Sequence, residues 1–299
     1  MTGPQGEGSA ASVERLCALA GVSRASFYRD WASTAPGREE TELRDLIQRA
    51  VLSCRHYGYR RITAELRRQG WAVNHKRVLR IMREDNLLCL KKPAFRPATT
   101  DSDHAWRIWP NLARKIMPMA VDRLWVADIT YVRLAEEFVY LAVILDAFSR
   151  KVVGWALEDH LRASLAIAAL EMALAGRDVK PGELIHHSDR GVQYACGDYI
   201  ERLEQAGIQP SMSRAGCPYD NAMAESFMKT LKQEEVNGSD YRDAADARAK
   251  IGSFMETVYN KQRLHSALDY LTPEEYEAKS PRLRPGVPPA VISITETCP

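Results

Sequence analysis

The sequence predicts an α/β protein, with an all-α helix-turn-helix region in front of a mixed five-stranded sheet flanked by helices. Three observations lead there. Between residues 123 and 157, three runs rich in Val, Ile, Tyr and Trp are joined by connections too short to hold a helix, which makes them an antiparallel meander. From residue 162 onward helices and strands alternate, so the later strands should lie parallel beside the meander. Before residue 90, capping residues and apolar residues recur at helical spacing.

Of the 299 residues 45% are hydrophobic, enough for a sizeable core and more than one domain. No apolar run of about 18 residues occurs, and the first thirty residues lack a basic-then-apolar leader, so a soluble cytoplasmic protein is expected. Cys17, Cys54, Cys89, Cys196, Cys217 and Cys298 are scattered without a CxxC pair, which favours reduced thiols over zinc or disulfides. The net charge of +2 conceals an asymmetry, because Arg55 to Arg96 holds twelve Lys/Arg against three acids. Such clustering suits a polyanion, since each cation on a phosphate releases condensed counterions. A solvated helix face would have the same composition.

Residues 1–11 read as a disordered lead. Ser12 can cap a helix to Ala20, Gly21 supplies a turn, and Ser23 caps a second helix projecting Arg24, Ser26, Tyr28 and Arg29. A helix from Glu39 to Cys54 precedes His56-Tyr57-Gly58-Tyr59-Arg60-Arg61-Ile62, and another runs from Ile62 to Gln69 and stops at Gly70. Asn74 caps a helix with an apolar stripe of Val78, Ile81 and Met82, opposite Lys76, Arg77, Arg80 and Arg83, as a groove-binding helix would have. Four prolines and little periodicity mark residues 91–121 as a linker, in which Trp106 and Trp109 are expected to dock on the adjacent domain.

The meander strands are Leu124 to Arg133, Phe138 to Ala147 and Val152 to Leu157. A helix from Arg162 to Ala175, a strand from Glu183 to His187, a helix from Gly197 to Ala206 and a strand from Ile208 to Met212 follow. After a loop from Ser213 to Tyr219, helices span Asn221 to Val236 and Ala244 to Asn260. The order βββαβαβα is that of the ribonuclease H-like fold.

Within this frame three acids are the candidate site. Asp128 interrupts an apolar strand, where a carboxylate is costly unless its charge is cancelled. Asp189 ends the neighbouring strand, where parallel sheets present functional groups. Glu225 follows after 35 intervening residues. At about 100° per residue, Met223, Ala224, Phe227, Met228 and Leu231 gather on one helix face, while Glu225, Lys229 and Lys232 occupy the other. Oxygen-only ligands suit Mg²⁺ or Mn²⁺, and two such ions about 4 Å apart can serve in-line displacement at phosphorus. Lys229 and Lys232 would then hold the DNA backbone. Asp146 is read as a turn residue, and His186 and His187 as sheet-packing residues.

The stretches Trp125 to Tyr131, Asp146 to Trp155, His187 to Gly191 with Gln193-Tyr194, and Asp220 to Lys232 resemble the DDE core of IS3-family insertion-sequence transposases, relatives of retroviral integrases. His56 to Ile62, Asn260 to Leu268 and Thr272-Pro273 are similar to that family as well. The resemblance implies that Asp128, Asp189 and Glu225 are the catalytic, Mg²⁺-binding triad, that element ends are cleaved and joined to target DNA, and that a multimer assembles on those ends. Arg60, Arg61, Lys76, Arg77 and Arg80 become DNA-binding candidates alongside Lys229 and Lys232. No His/Cys zinc module of the retroviral kind and no heptad zipper is read in the chain, so it looks like the downstream product, which in this family joins an upstream helix-turn-helix and zipper protein.

The division expected is a lead with the first helix-turn-helix (1–37), a basic helical DNA-binding domain (38–90), a linker (91–121), the catalytic core with its C-terminal helices (122–280) and a disordered tail (281–299). Two other readings stay open: a ribonuclease H-like nuclease without strand transfer, and a DNA-binding regulator with an inactive core.

Overall fold

The structure is a computed structural model that describes residues 12–25, 38–89, 106–135, 137–214 and 218–280. The lead, residues 26–37 with Ser26, Tyr28 and Arg29 of the second expected helix, the first half of the expected linker and the tail lie outside the described residues. The chain divides into two compact units, Met1–Cys89 and Leu90–Pro299.

In the first unit, helix α1 (Val13–Ala20) begins where Ser12 Oγ accepts from the Arg15 N–H and ends at Gly21, whose φ of 65° is the left-handed value a helix stop requires. Helix α2 (Arg38–Ser53) is followed by α3 (Tyr59–Arg68) and α4 (His75–Glu84). The α3 helix starts three residues earlier than its apolar pattern suggests, because Gly58 rather than a side chain caps it. Asn74 caps α4 as expected, its Oδ1 accepting from the Lys76 N–H at 2.8 Å. Leu43 and Ile47 of α2, Ile62 and Leu66 of α3, and Val78, Ile81 and Met82 of α4 are all buried, every one but Leu43 completely.

The second unit is built on one sheet of order β3-β2-β1-β4-β5. Strands β1 (Leu124–Arg133), β2 (Phe138–Asp146) and β3 (Val152–Glu158) are antiparallel neighbours. Strands β4 (Ile185–Ser188) and β5 (Gln209–Met212) continue the sheet in parallel. Helix α5 (Ala163–Gly176) makes the crossover into β4, and α6 (Val192–Ala195) with α7 (Gly197–Gln205) leads into β5. This mixed sheet with helices on both faces is the ribonuclease H-like fold.

Alternation along β1 sends Trp125 and Ala127 to one core, with Leu165, Ala169 and Leu170 of α5, and Val126 and Val132 to the other. That second core is closed by α8 (Ala222–Glu234) through Phe227 and Leu231, and by α9 (Ala244–Ser253) with its continuation. Gly154 lets β3 and α5 approach closely, since a Cβ there would lie 2.2 Å from the Ala169 carbonyl oxygen.

Two departures from the sequence reading concern the C-terminal helices. The helix expected to reach Asn260 widens after Ser253 into a π-helix, Phe254–Gln262. Within it the Asn260 side chain accepts from the Val152 N–H and donates to the Val152 carbonyl, both at 3.0 Å, capping the start of β3 as another strand would. A further helix, α10 (Pro273–Lys279), begins with a reciprocal capping box between Thr272 and Glu275. Its Glu277 reaches Ser149, Lys151 and Arg177.

At the end of α8, Glu234 receives two hydrogen bonds from Arg263, at 2.9 and 2.7 Å, and both side chains are almost wholly buried. Arg263→Met takes both of these hydrogen bonds from the buried Glu234 carboxylate, and a loss of about 3 kcal/mol is expected. Urea unfolding of the variant measures this, and an unchanged midpoint would show the pair to be dispensable.

Candidate catalytic and nucleic-acid-binding site

The sheet register brings the first two acids together. Pairing of β1 with β4 ends at Val126 opposite His187, and two residues further on stand Asp128, within β1, and Asp189, one residue past the end of β4. Within β1 a step of two residues keeps Asp128 on the face of Val126, the face that α8 covers. Asp128 Oδ1 accepts from the Ile129 N–H at 2.9 Å, and Asp189 Oδ1 accepts from the Gly191 N–H at 2.9 Å in the turn that follows β4. Glu225, in the first turn of α8, is exposed.

Burial pushes the Asp128 carboxyl up to about 7, and the negative charges of Asp189 and then Glu225 push in the same direction. The three acids therefore share one field. Among the described residues, the ligand atoms of Glu158, Asp159 and His160 lie within 4.8 Å of one another, and the three predicted acids form no group that tight. At Asp128 the Ile129 N–H and then the Lys232 charge act against the rise in pKa.

Lys232 and Lys229 behave differently despite their shared helix face. Lys232 is half-buried, with Nζ 4.4 Å from the Tyr131 ring centroid, and burial lowers its pKa while Asp128 partly restores it. Lys229 is exposed.

The position of α8 is set by residues that sequence reasoning did not single out. Arg214 and Asp220 are joined by three hydrogen bonds of 2.9 Å, closing the segment between β5 and α8, and Arg214 holds the Asp220 carboxyl well below the usual carboxylate range. Asn221 then donates from Nδ2 to the Ala127 carbonyl at 3.0 Å, tying the start of α8 to β1 beside Asp128.

Around the acids the remaining polar groups are quiet. His186 pairs with Tyr199 at 2.9 Å and His187 with Ser211 and Ser213 at 2.8 and 3.1 Å, and burial first of all lowers them to about 3 and about 4. Both are neutral sheet-packing residues. Asp146 accepts from the Asp122, Phe148 and Ser149 N–H groups and the Ser149 hydroxyl, which makes it the organiser of the β2–β3 turn. The Tyr194 hydroxyl is buried without a partner among the described residues, within the electrostatic reach of Asp189 and Asp128.

The basic helical unit presents its candidates unevenly. Arg77 pairs with Glu39 at 3.1 Å, and Arg80 with Glu84 at 2.8 Å and Glu40 at 3.4 Å, so both face α2 as well as solvent. Arg60 lies over the Tyr59 ring and Arg61 over the Tyr57 ring, at 5.6 and 5.5 Å. Lys76 is fully at the surface beside the α4 cap. In the second unit Trp106 is 51% exposed, while Trp109 is partly covered with Arg107 stacked 4.2 Å from its ring centroid.

Two integrase core domain models match this chain, at residues 118–218 and 206–273, and an HTH-like domain model matches residues 38–95. A 31 kDa protein of insertion element IS600 from Shigella sonnei is 38% identical over 269 residues, covering 88% of this chain and 98% of its own. The transposase InsF of insertion sequence IS3A from Escherichia coli K12 is 34% identical over 275 residues, covering 90% and 95%. The chain belongs to the IS3 family of insertion-sequence transposases. It is a DDE polynucleotidyl transferase with an integrase core behind a helix-turn-helix-like region, and it acts in DNA transposition and integration. A simian T-cell lymphotropic virus intasome chain, solved with a PP2A regulatory subunit, aligns with this transposase at a TM-score of 0.48 and 18% identity, covering 83% of this chain and 80% of that one. No helix among the described residues is long and apolar enough to cross a membrane.

Proposed function

We propose that Asp128, Asp189 and Glu225 hold divalent cations, Mg²⁺ or Mn²⁺ and two in number, and that this centre cuts element-end DNA and joins it to target DNA. The observation that carries this reading is the electrostatic coupling of Asp128 to Asp189 and Glu225, whose negative charges add to burial in raising its carboxyl. The donor set fits, for it is all oxygen and partly open to solvent. A cation bound there supplies Lewis acidity, sharpening the attacking oxygen and drawing charge off the leaving one.

The chain's own residues do the rest. Asp128 stands within β1, paired with Val143 of β2, and Asp189 just past the end of β4, so that the reacting phosphodiester is held against fixed groups. In cleavage the oxygen of water bonds to phosphorus as the opposite P–O bond breaks. The departing 3′ oxygen takes up a proton, water having given one to solvent. In joining, that 3′-hydroxyl attacks a target phosphodiester in the same manner, and one bond is made for each bond broken. Lys232, screened from solvent between Tyr131 and the acids, is placed to meet the phosphate charge, and exposed Lys229 the backbone further along.

On the helical unit, Arg60, Arg61, Lys76, Arg77 and Arg80 are proposed to take the DNA backbone. The ion pairs of Arg77 and Arg80 are exposed and weak enough to exchange for phosphate. Each contacting cation replaced by Ala is expected to reduce the slope of log K against log salt by about 0.9. Fluorescence anisotropy with duplex DNA at several salt concentrations, using Lys76→Ala and Arg60→Ala, measures it, and unchanged slopes would place the DNA elsewhere. A homo-oligomer on the two ends, the element's upstream zipper protein as a partner, and a cytoplasmic site of action complete the proposal. Joining of paired ends to target distinguishes it from a nuclease, and Mg²⁺-dependent cutting distinguishes it from an inactive regulator.

A further inference from the structure

An Asn at the start of a helix ordinarily turns its side-chain oxygen back onto the first free N–H groups of that helix. Asn221 stands at that position in α8 and makes no such bond. Its Nδ2 instead reaches 94 residues back along the chain to the carbonyl of Ala127, at 3.0 Å. That carbonyl immediately precedes Asp128 and lies one residue beyond the last residue of β1 that pairs with β4. A carbonyl can only accept, so the amide orientation is settled: the NH₂ faces the strand and Oδ1 faces away. Oδ1 meets no donor among the described residues, although Asn221 is only 7% exposed.

Four residues on, and therefore on the same side of the helix, is Glu225. From this arrangement we infer that Asn221 is a positioning residue that fixes the separation of Glu225 from Asp128, with its buried Oδ1 left to accept from a donor arriving with the cation, such as a bound water. The inference rests on the proposed three-acid centre. The Arg214–Asp220 clasp, immediately before Asn221, brings the chain to the strand but ends short of it. Glu225 itself is exposed in the first turn of α8, so its place relative to Asp128 depends on what fixes that turn. The Asn221 bond is the link that ties that turn directly to the backbone of the acid-bearing strand.

Two substitutions in the full-length protein separate the parts of this claim. Asn221→Ala removes donor and acceptor, whereas Asn221→Asp keeps an acceptor, loses the donor and sets a carboxylate against the Ala127 carbonyl. The probe is Mn²⁺ alone, its binding followed by the electron paramagnetic resonance of the free ion, with metal-free thermal unfolding beside it. Loss of a group that orients a metal ligand typically weakens metal binding about 10–100-fold, and that rise in half-saturating Mn²⁺ is expected of both variants. Where Asn221→Ala is too unstable to titrate, Asn221→Asp decides by the same criterion. A lowered unfolding midpoint with unchanged Mn²⁺ binding would reduce Asn221 to a structural bond and overturn the inference. Wild-type binding in Asn221→Asp alone would overturn it too, assigning the effect to the acceptor. Glu225→Gln is titrated in parallel. If it binds Mn²⁺ and cleaves as wild type does, the three-acid reading fails. If it loses both while the Asn221 variants bind normally, only the positioning role fails.

Discussion

Glu225→Gln is expected to lower Mg²⁺-dependent cleavage and joining of element ends by roughly 10³-fold or more, because in the proposed three-acid centre it removes one charged ligand and catalysis there would be electrostatic. Gln is close in size to Glu, and position 225 is exposed in the first turn of α8, so folding should be untouched. The basic helical unit lies elsewhere in the chain, so DNA affinity should stay within a few-fold of the parent. Cleavage of a labelled end duplex, set beside anisotropy of the same duplex, separates the two effects. Retained cleavage would remove Glu225 from the centre, and lost binding would mean that α8 itself carries the DNA.

Asp128→Asn is expected to be equally inactive and yet more stable than the parent at pH 8 without metal. The folded pKa of Asp128 is raised above its unfolded value, to about 7, by burial and by its acidic neighbours. Between the two values the folded chain binds more protons than the unfolded one, so stability is greatest in acid and falls as pH rises through 7. Each pKa unit corresponds to about 1.4 kcal/mol, and with the carboxyl partly open to solvent a gain of about 1–2 kcal/mol is expected for the Asn variant at pH 8. Near pH 4 the difference should vanish. Unfolding midpoints in EDTA at both pH values test this, and a variant no more stable at pH 8 would show that Asp128 is relieved by something other than protonation. Added Mn²⁺ should reverse the order, stabilising the parent and not the variant.

Much of this was legible in the chain because the sheet is written in short connections. The tight links after Arg133 and Asp146 leave no room for a crossover, and the antiparallel meander followed directly. Asp128 was visible as a charge in an apolar strand, and Asp189 as the residue where such a strand stops. Other features had weaker local signals. The π-helix is not marked by spacing, since apolar residues that suit an α-helix suit a slightly wider one over two turns. The capping box at Thr272 and Glu275 was present in the letters, but it opens a helix of only seven residues, too short for periodicity to announce. Lys229 and Lys232 looked alike on a helical wheel, which records direction and not depth, and only packing against Tyr131 separates them. Asn221 read as an ordinary helix start, because the partner that gives it meaning is 94 residues away.

The hydrogen bonds between Arg214 and Asp220 bear on what the connection between β5 and α8 can tolerate. They bind the two ends of the connection into a ring, so that the direction in which α8 departs is decided at its closure. Residues added to or taken from the ring would change its circumference and leave the exit fixed. The clasp then sets where α8 begins, and the Asn221 bond sets how its first turn stands against β1.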